Sequence, residues 1–220
     1  MKYILALDQG TTSSRSIIYD ETLTPLASAQ QEFQQHFPEP GRVEHDAKEI
    51  RDTIFSTASE AVRKSGIDPK SLAAIGITNQ RETIVVWDRN TGEPVHRAIV
   101  WQDRRTSDYM AALRDAGKEQ LIQSRTGLLL DPYFSASKLH WILREIPDGH
   151  ARAASGELAA GTIDSWLIFQ LTGGASHVTD VSNASRTMLM NIRTGGWDSD
   201  LLRLFNIPEA TLPKILPSSG

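Results

Sequence analysis

The sequence predicts an α/β fold that opens on a three-stranded antiparallel meander, and three observations predict it. Residues 3–7 and 16–20 are apolar, β-rich runs on either side of a short polar loop, and residues 25–33 read as a third strand. Asp46 is placed to cap an amphipathic helix over residues 47–64, with Ile50, Ile54, Ala58, Ala61 and Val62 on one face. The apolar run 72–78 then reads as a buried strand that delivers Thr78-Asn79-Gln80-Arg81-Glu82 at its end, where α/β sheets place ligands. Strands before the first helix exclude a simple βαβ opening, and no Gly-x-Gly-x-x-Gly is present to support a dinucleotide fold.

The later elements follow the same logic. Gly66 and Pro69 stop the first helix. Residues 83–87 and 95–101 form a strand pair around Asp88-Arg89-Asn90-Thr91-Gly92, leaving Trp101-Gln102-Asp103 as a second polar patch. Helical patterns cover residues 106–113, 118–124 and 135–144, the last with Leu139, Ile142 and Leu143 inward, and residues 126–134 between them read as a loop with an aromatic pair. Residues 162–171 predict another helix, stopped by Gly173-Gly174, and residues near 200–205 a short one. Trp141, Trp166 and the segment Thr187-Met188-Leu189 read as core.

Composition narrows the function. With 40% hydrophobic residues in 220, the chain can bury a substantial core. A formal charge of −4 with no dense Lys/Arg cluster argues against a nucleic-acid surface, and no apolar stretch is long enough for a membrane span. The absence of cysteine removes disulfides, thiolate metal sites and thiol nucleophiles, which suits a reducing cytoplasm. The six histidines are scattered, with no metal-binding spacing, and read as surface or packing residues.

The loop Asp8-Gln9-Gly10-Thr11-Thr12-Ser13-Ser14-Arg15 carries the chemistry of a polyphosphate site. Glycine lets backbone N–H groups approach phosphate oxygens, hydroxyls donate further bonds, Arg15 neutralises charge, and Asp8 at a strand end can hold Mg²⁺ through water. No Gly-Lys-Ser/Thr follows, so it is not a Walker loop.

Five segments together resemble the FGGY carbohydrate kinase family, and within it the glycerol kinases: 5–15 (LALDQGTTSSR), 75–83 (IGITNQRET), 98–102 (AIVWQ), 131–135 (DPYFS) and 183–189 (NASRTML). They occur in family order across nearly the whole chain. The resemblance implies a ribonuclease-H-like (actin-like ATPase) fold, the first FGGY domain, with a mixed sheet and helices on both faces. It also implies ATP-dependent, Mg²⁺-assisted phosphorylation of glycerol to sn-glycerol 3-phosphate. By the same resemblance Thr11, Thr12, Ser13 and Arg15 contact the nucleotide phosphates, Asp8 positions the metal through water, and Arg81, Glu82, Trp101 and Tyr133 form the polyol pocket. The chemistry agrees: Arg81 donates to hydroxyl oxygens, Glu82 accepts from hydroxyl protons, Trp101 offers an apolar wall, and Tyr133 adds a hydrogen bond.

The family's catalytic Asp lies in a Gly-Asp-Gln segment, and no Gly-Asp-Gln occurs in this sequence. The resemblance therefore places the base beyond Gly220, with no catalytic residue expected among these 220. The expectation is a first domain truncated before its last strand and helix, without the second, nucleotide-closing domain and inactive alone. An apolar edge left uncovered in such a fragment predicts self-association, a homo-oligomer included. A kinase for a related polyol or sugar is the alternative enzyme, and a non-catalytic actin-like binding module the alternative of another class.

Overall fold

Alternating burial along the first strands and a capped helix account for the N-terminal unit. The computed structural model describes residues 2–219, and the chain divides into two compact units: residues up to Gln35 with His45–Gln80, and His36–Glu44 with Arg81 onward. In the first unit β1 (Tyr3–Gln9), β2 (Ser13–Tyr19) and β3 (Pro25–Glu32) form the expected antiparallel meander. The two-residue strands β4 (Gln35–His36) and β5 (Glu44–His45) lie where the chain passes between units. Helix α1 (Ala47–Ser65) begins at Asp46, whose carboxylate accepts from the N–H groups of Lys48 and Glu49, and ends at Gly66 in the left-handed region, φ 69°. Strand β6 (Leu72–Asn79) then runs parallel to β1, giving a mixed sheet of order β3-β2-β1-β6.

Two details of this unit depart from the sequence reading. The inward face of α1 is partly hydroxyl: Thr53 and Thr57 are buried, while Ala58 and Val62 are only half-buried. Their partners are Ser14 and Ser16, each in side-chain contact with the helix (Ser14 to Thr53 2.8 Å, Ser16 to Thr57 2.9 Å), so burial is matched by hydrogen bonds. Second, β6 is not buried. It stands at the sheet edge beside β1, and α1 packs on β1, β2 and β3, with Ile75 51% exposed.

The second unit holds a strand trio, with β7 (Ile84–Asp88) paired antiparallel to both β8 (Ala98–Ile99) and β9 (Leu158–Thr162). Helices α2 (Ser107–Asp115), α3 (Glu119–Thr126) and α4 (Ser135–Glu145) precede α5 (Gly149–Ala154) and β9, and α6 (Ile163–Leu171) follows. Period-two alternation of β7 sends Ile84 and Val86 to a core with Leu139, Ile142 and Leu143 of α4. Trp87, on the opposite face, meets Trp166 and Phe169 of α6 at ring separations of 5.4 and 5.3 Å. Helices thus cover both faces of this sheet. The α/β class and the mixed sheet are thus as expected.

Strand β9 and helix α5 were not legible in the sequence. The remaining elements are β10 (Val178–Asp180), α7 (Val181–Ala184), β11 (Met190–Asn191), β12 (Gly196–Trp197), α8 (Ser199–Phe205) and β13 (Lys214–Leu216), with β10 parallel to β13 and β11 antiparallel to β12. Asp164 of α6 ties β9 to β10, accepting from Thr162 and from Thr179 (2.7 Å); burial pushes its carboxyl up. Trp166 and residues 187–189 are core as expected, but Trp141 is half-buried, with the Arg105 guanidinium 4.5 Å above its ring. No described helix is long and apolar enough to cross a membrane.

Candidate functional site

The phosphate-type residues lie on the β1–β2 hairpin of the first unit. Regular pairing reaches Gln9↔Ser14, so the connecting loop is only Gly10-Thr11-Thr12, and Asp8, Ser13 and Arg15 stand on strands. Asp8 and Arg15 are direct cross-strand partners, and Arg15 Nη2 donates to Asp8 Oδ2 at 2.7 Å. Both side chains are substantially exposed, so the pair adds little stability. Its effect is to hold an anion-seeking cation and a cation-seeking carboxylate side by side at the sheet end.

Not all of the loop is available to a ligand. The Gly10 N–H donates to Ser13 O at 2.9 Å and so closes the turn rather than facing outward. A Cβ at Gly10 would come within 3.3 Å of that same oxygen, which explains the glycine. Ser14, the fourth hydroxyl of the run, is committed to Thr53, and Ser13 Oγ accepts from Gln30 Nε2 at 3.0 Å, while Thr12 is the exposed residue of the run. Beneath the hairpin the carboxamide of the buried Gln80 donates to Gln9 Oε1 (3.1 Å) and sits 3.2 Å from His45 Nδ1, while His45 Nε2 lies 2.6 Å from Gln35 Oε1. Gln35 in turn donates to the Thr11 carbonyl at 2.9 Å, so a buried polar chain fixes the loop backbone. Gln9 and Gln80 lie inside family-type segments and Gln35 and His45 outside them, but nothing in the sequence signals that the four join in one chain.

The polyol-type residues belong to the second unit. Glu82 is 3% exposed and adopts φ +65°, a left-handed conformation uncommon outside glycine, which turns its side chain off the line of β7. Its carboxylate accepts from Arg186 Nε at 2.6 Å, and its carbonyl from Ser135 Oγ at 3.0 Å. The Arg186 guanidinium also lies over the rings of Phe134 (5.0 Å) and Tyr133 (5.8 Å). Tyr133 meets Trp101 at 5.4 Å, and the Trp101 backbone N–H donates to Thr83 Oγ1 at 3.3 Å. Glu82, Trp101 and Tyr133 are therefore joined into one constellation through Arg186 and the backbone of residues 82–83. Arg81 precedes it in sequence, exposed, with no ion pair among the described residues.

The expectation of a base beyond Gly220 concerns residues outside those described, Gly220 included. Arg186 lay inside a recognised segment but had no role assigned; its partner is 104 positions away, a pairing that only the fold supplies. Replacing it by alanine leaves a buried carboxylate without its cation and removes the plane between Glu82 and the aromatic pair. Arg186→Ala is expected to destabilise the second unit by about 2 kcal/mol, read by urea denaturation. An unchanged midpoint would mean that water already screens the Arg186–Glu82 pair.

Comparison with known proteins gives a consistent picture. Residues 3–220 match the N-terminal domain of the FGGY family of carbohydrate kinases. The chain is 60% identical over 220 residues to a glycerol kinase of Polaromonas sp. (strain JS666 / ATCC BAA-500), covering 100% of this chain and 44% of that protein. It is 57% identical over 215 residues to a glycerol kinase of Ectopseudomonas mendocina (strain ymp), covering 98% and 43%. The chain thus spans less than half the length of these relatives. Among solved structures, Plasmodium falciparum glycerol kinase with ADP superposes with a TM-score of 0.91 at 38% identity, over 98% of this chain and 43% of that one. A ligand-bound xylulose kinase from Lactobacillus acidophilus gives 0.87 at 28%, over 98% and 42%.

Proposed function

We propose that this chain, which belongs to the FGGY family of carbohydrate kinases and matches its N-terminal domain, is the polyol- and phosphate-binding part of an ATP-dependent glycerol kinase of the cytoplasm. The observation that carries the reading is the Glu82 constellation: a fixed acceptor beside an aromatic wall, with the donor Arg81 next in sequence. A small polyol is hard to select by burial alone, because its hydroxyls are as content in water. A positioned acceptor and donor leave unpaired groups when the wrong ligand enters, and that supplies the discrimination. The names of the curated relatives point the same way.

In this reading Glu82 accepts from a glycerol hydroxyl, Arg81 donates to hydroxyl oxygens, and Trp101 with Tyr133 covers the carbon skeleton. Thr11, Thr12, Ser13 and Arg15 bind the phosphates of ATP or ADP. Mg²⁺ would offset the charge of the migrating phosphoryl group. Among the described residues no cluster of three metal-ligating side chains occurs, and Asp8 already shares one carboxylate oxygen with Arg15. That donor set fits a metal held chiefly by phosphate oxygens and water, with Asp8 reaching it through water. The base that accepts the hydroxyl proton, and the domain that closes over the adenine, we assign to residues that would follow Gly220 in a protein of the relatives' length.

Calorimetric titration of the chain with glycerol, beside Glu82→Gln, Arg81→Ala and an ATP-turnover assay, tests the reading. Saturable binding weakened at least tenfold in both variants, without turnover, is expected. A xylulose or gluconate preference over glycerol would overturn the substrate, and turnover by these 220 residues would overturn the assignment of the base.

A further inference from the structure

Lys138 stands in the first turns of α4 with its entire side chain shielded from solvent. An ammonium withdrawn from water is tolerated only where dipoles or charges replace its hydration. Here Nζ donates to the carbonyl oxygens of Pro132 (3.2 Å) and Tyr133 (2.5 Å), the backbone of the loop that carries the aromatic wall. The charged groups facing it are the carboxylates of Glu82, Asp103 and Asp131 and the guanidinium of Arg104. Each of these carboxylates already has a guanidinium partner: Glu82 with Arg186, Asp103 with Arg105, and Asp131 with Arg104. Lys138 therefore has no dedicated counter-ion. It is a cation supported by two carbonyl dipoles and a shared field.

We propose that Lys138 is the positioning residue of the pocket, holding the Pro132 and Tyr133 carbonyls so that Tyr133 lies against Trp101, and that this hold loosens as the medium turns alkaline. Burial brings the ammonium down to about 7, so the change falls within the range of living cells. The protonated form offers three N–H donors and a full charge, the neutral amine two donors and none, and charge-assisted bonds are roughly twice as strong. Loss of the proton leaves both carbonyls weakly held at the foot of the aromatic wall. Glycerol affinity is then expected to fall about tenfold from pH 6 to pH 9. The identity of the ligand rests on the polyol reading above; the titration of the loop does not.

Two arms separate those two claims. In ligand-free protein, nuclear magnetic resonance of labelled tyrosine rings, with Tyr133 assigned through Tyr133→Phe, and of lysine ¹³Cε is followed from pH 5.5 to 9.5. The expected result is a common midpoint near 7 for Lys138 and the Tyr133 ring, absent from the ring in Lys138→Met and Lys138→Arg. In the second arm glycerol affinity is measured over the same range, and a fall with the same midpoint in wild type but not in either variant is expected. A Tyr133 ring that stays unchanged while Lys138 titrates overturns the proposal, using wild-type protein alone. So does a ring transition that persists in Lys138→Met. A shared midpoint without any glycerol binding upholds the positioning role and overturns the polyol reading instead.

Discussion

Replacing Arg105 by methionine is expected to destabilise the second unit by about 4 kcal/mol, the largest single effect of any side chain described above. Its guanidinium is 2% exposed and lies between Asp103 and Glu44, which are 0% and 8% exposed. Nη2 donates to Glu44 Oε1 at 2.7 Å and to Asp103 Oδ2 at 2.9 Å, and Nε to Asp103 Oδ1 at 2.9 Å. Burial alone would lower the guanidinium pKa, but the bonds and charges of the two carboxylates prevail and hold it above its ordinary value. The Asp103 carboxylate also accepts from the backbone N–H of Val43 at 2.7 Å, so the pair pins the returning segment as well. Methionine keeps the packing over Trp141 but leaves two carboxylates buried without a cation. Urea denaturation at pH 7 reads the loss. Glu44→Leu in the same chain is expected to recover part of the deficit, because it removes one of the two stranded carboxylates. A deficit below about 1 kcal/mol would mean that water reaches the triad. Because Trp101 lies two residues before Asp103, the same change is expected to loosen the Trp101–Tyr133 contact.

The triad also illustrates what the sequence could and could not disclose. Local signals were legible: the Asp46 cap, the apolar spacing of α1 and α4, the turn at Gly92 and the loop before Phe134 are all set by neighbours a few residues away. Strand β9 was hidden because only the last of its residues, Leu158-Ala159-Ala160-Gly161-Thr162, has the β-branched side chain that marks strands. The structure supplies the reason: a Cβ at Gly161 would lie 2.4 Å from the Ser165 Cβ, and Trp87 is paired with Ala159 across the ladder. Small residues there make room for α6 and the indole. Strand β6 was misread in the opposite sense, since an apolar run does not reveal that it will occupy an edge. For the candidate site, Asp8, Thr11, Glu82, Trp101 and Tyr133 fall in recognisable segments, and so do Gln80 and Arg186, but the partners of these last two are not legible in the sequence. Arg186, Lys138, Arg105 and Gln80 act across sequence separations that only the fold closes, or on backbone carbonyls that leave no mark in the sequence.

Stability is expected to climb as pH rises from 5 to 9, in two separate windows. Lys138 binds its proton near 10.5 when unfolded and at about 7 when folded. Between those values the unfolded chain holds more protons than the native one, so the slope of unfolding free energy against pH is positive there. The full window is worth on the order of 4 kcal/mol, and the part from pH 7 to pH 9 about 2 kcal/mol. His177 acts lower. Burial, partly offset by its bond to the Ala160 carbonyl and reinforced by the Arg89 charge, brings it from 6.5 to about 4. Its Nε2 lies 3.0 Å from the Ala160 carbonyl and must donate, so Nδ1, 3.1 Å from Arg89 Nη1, is left as the acceptor of a neutral ring. A proton added at Nδ1 would face the guanidinium. As pH falls from 6.5 to 5 the unfolded chain again gains protons that the native one refuses, and about 1.5 kcal/mol is lost. Urea denaturation of wild type, Lys138→Met and His177→Gln at pH 5, 6.5, 7 and 9 checks both windows. Lys138→Met is expected to flatten the upper rise and leave the lower one, and His177→Gln to do the reverse. Because the slopes are compared rather than the absolute stabilities, the packing cost of either substitution cancels. An upper rise that survives in Lys138→Met would assign that titration to another group.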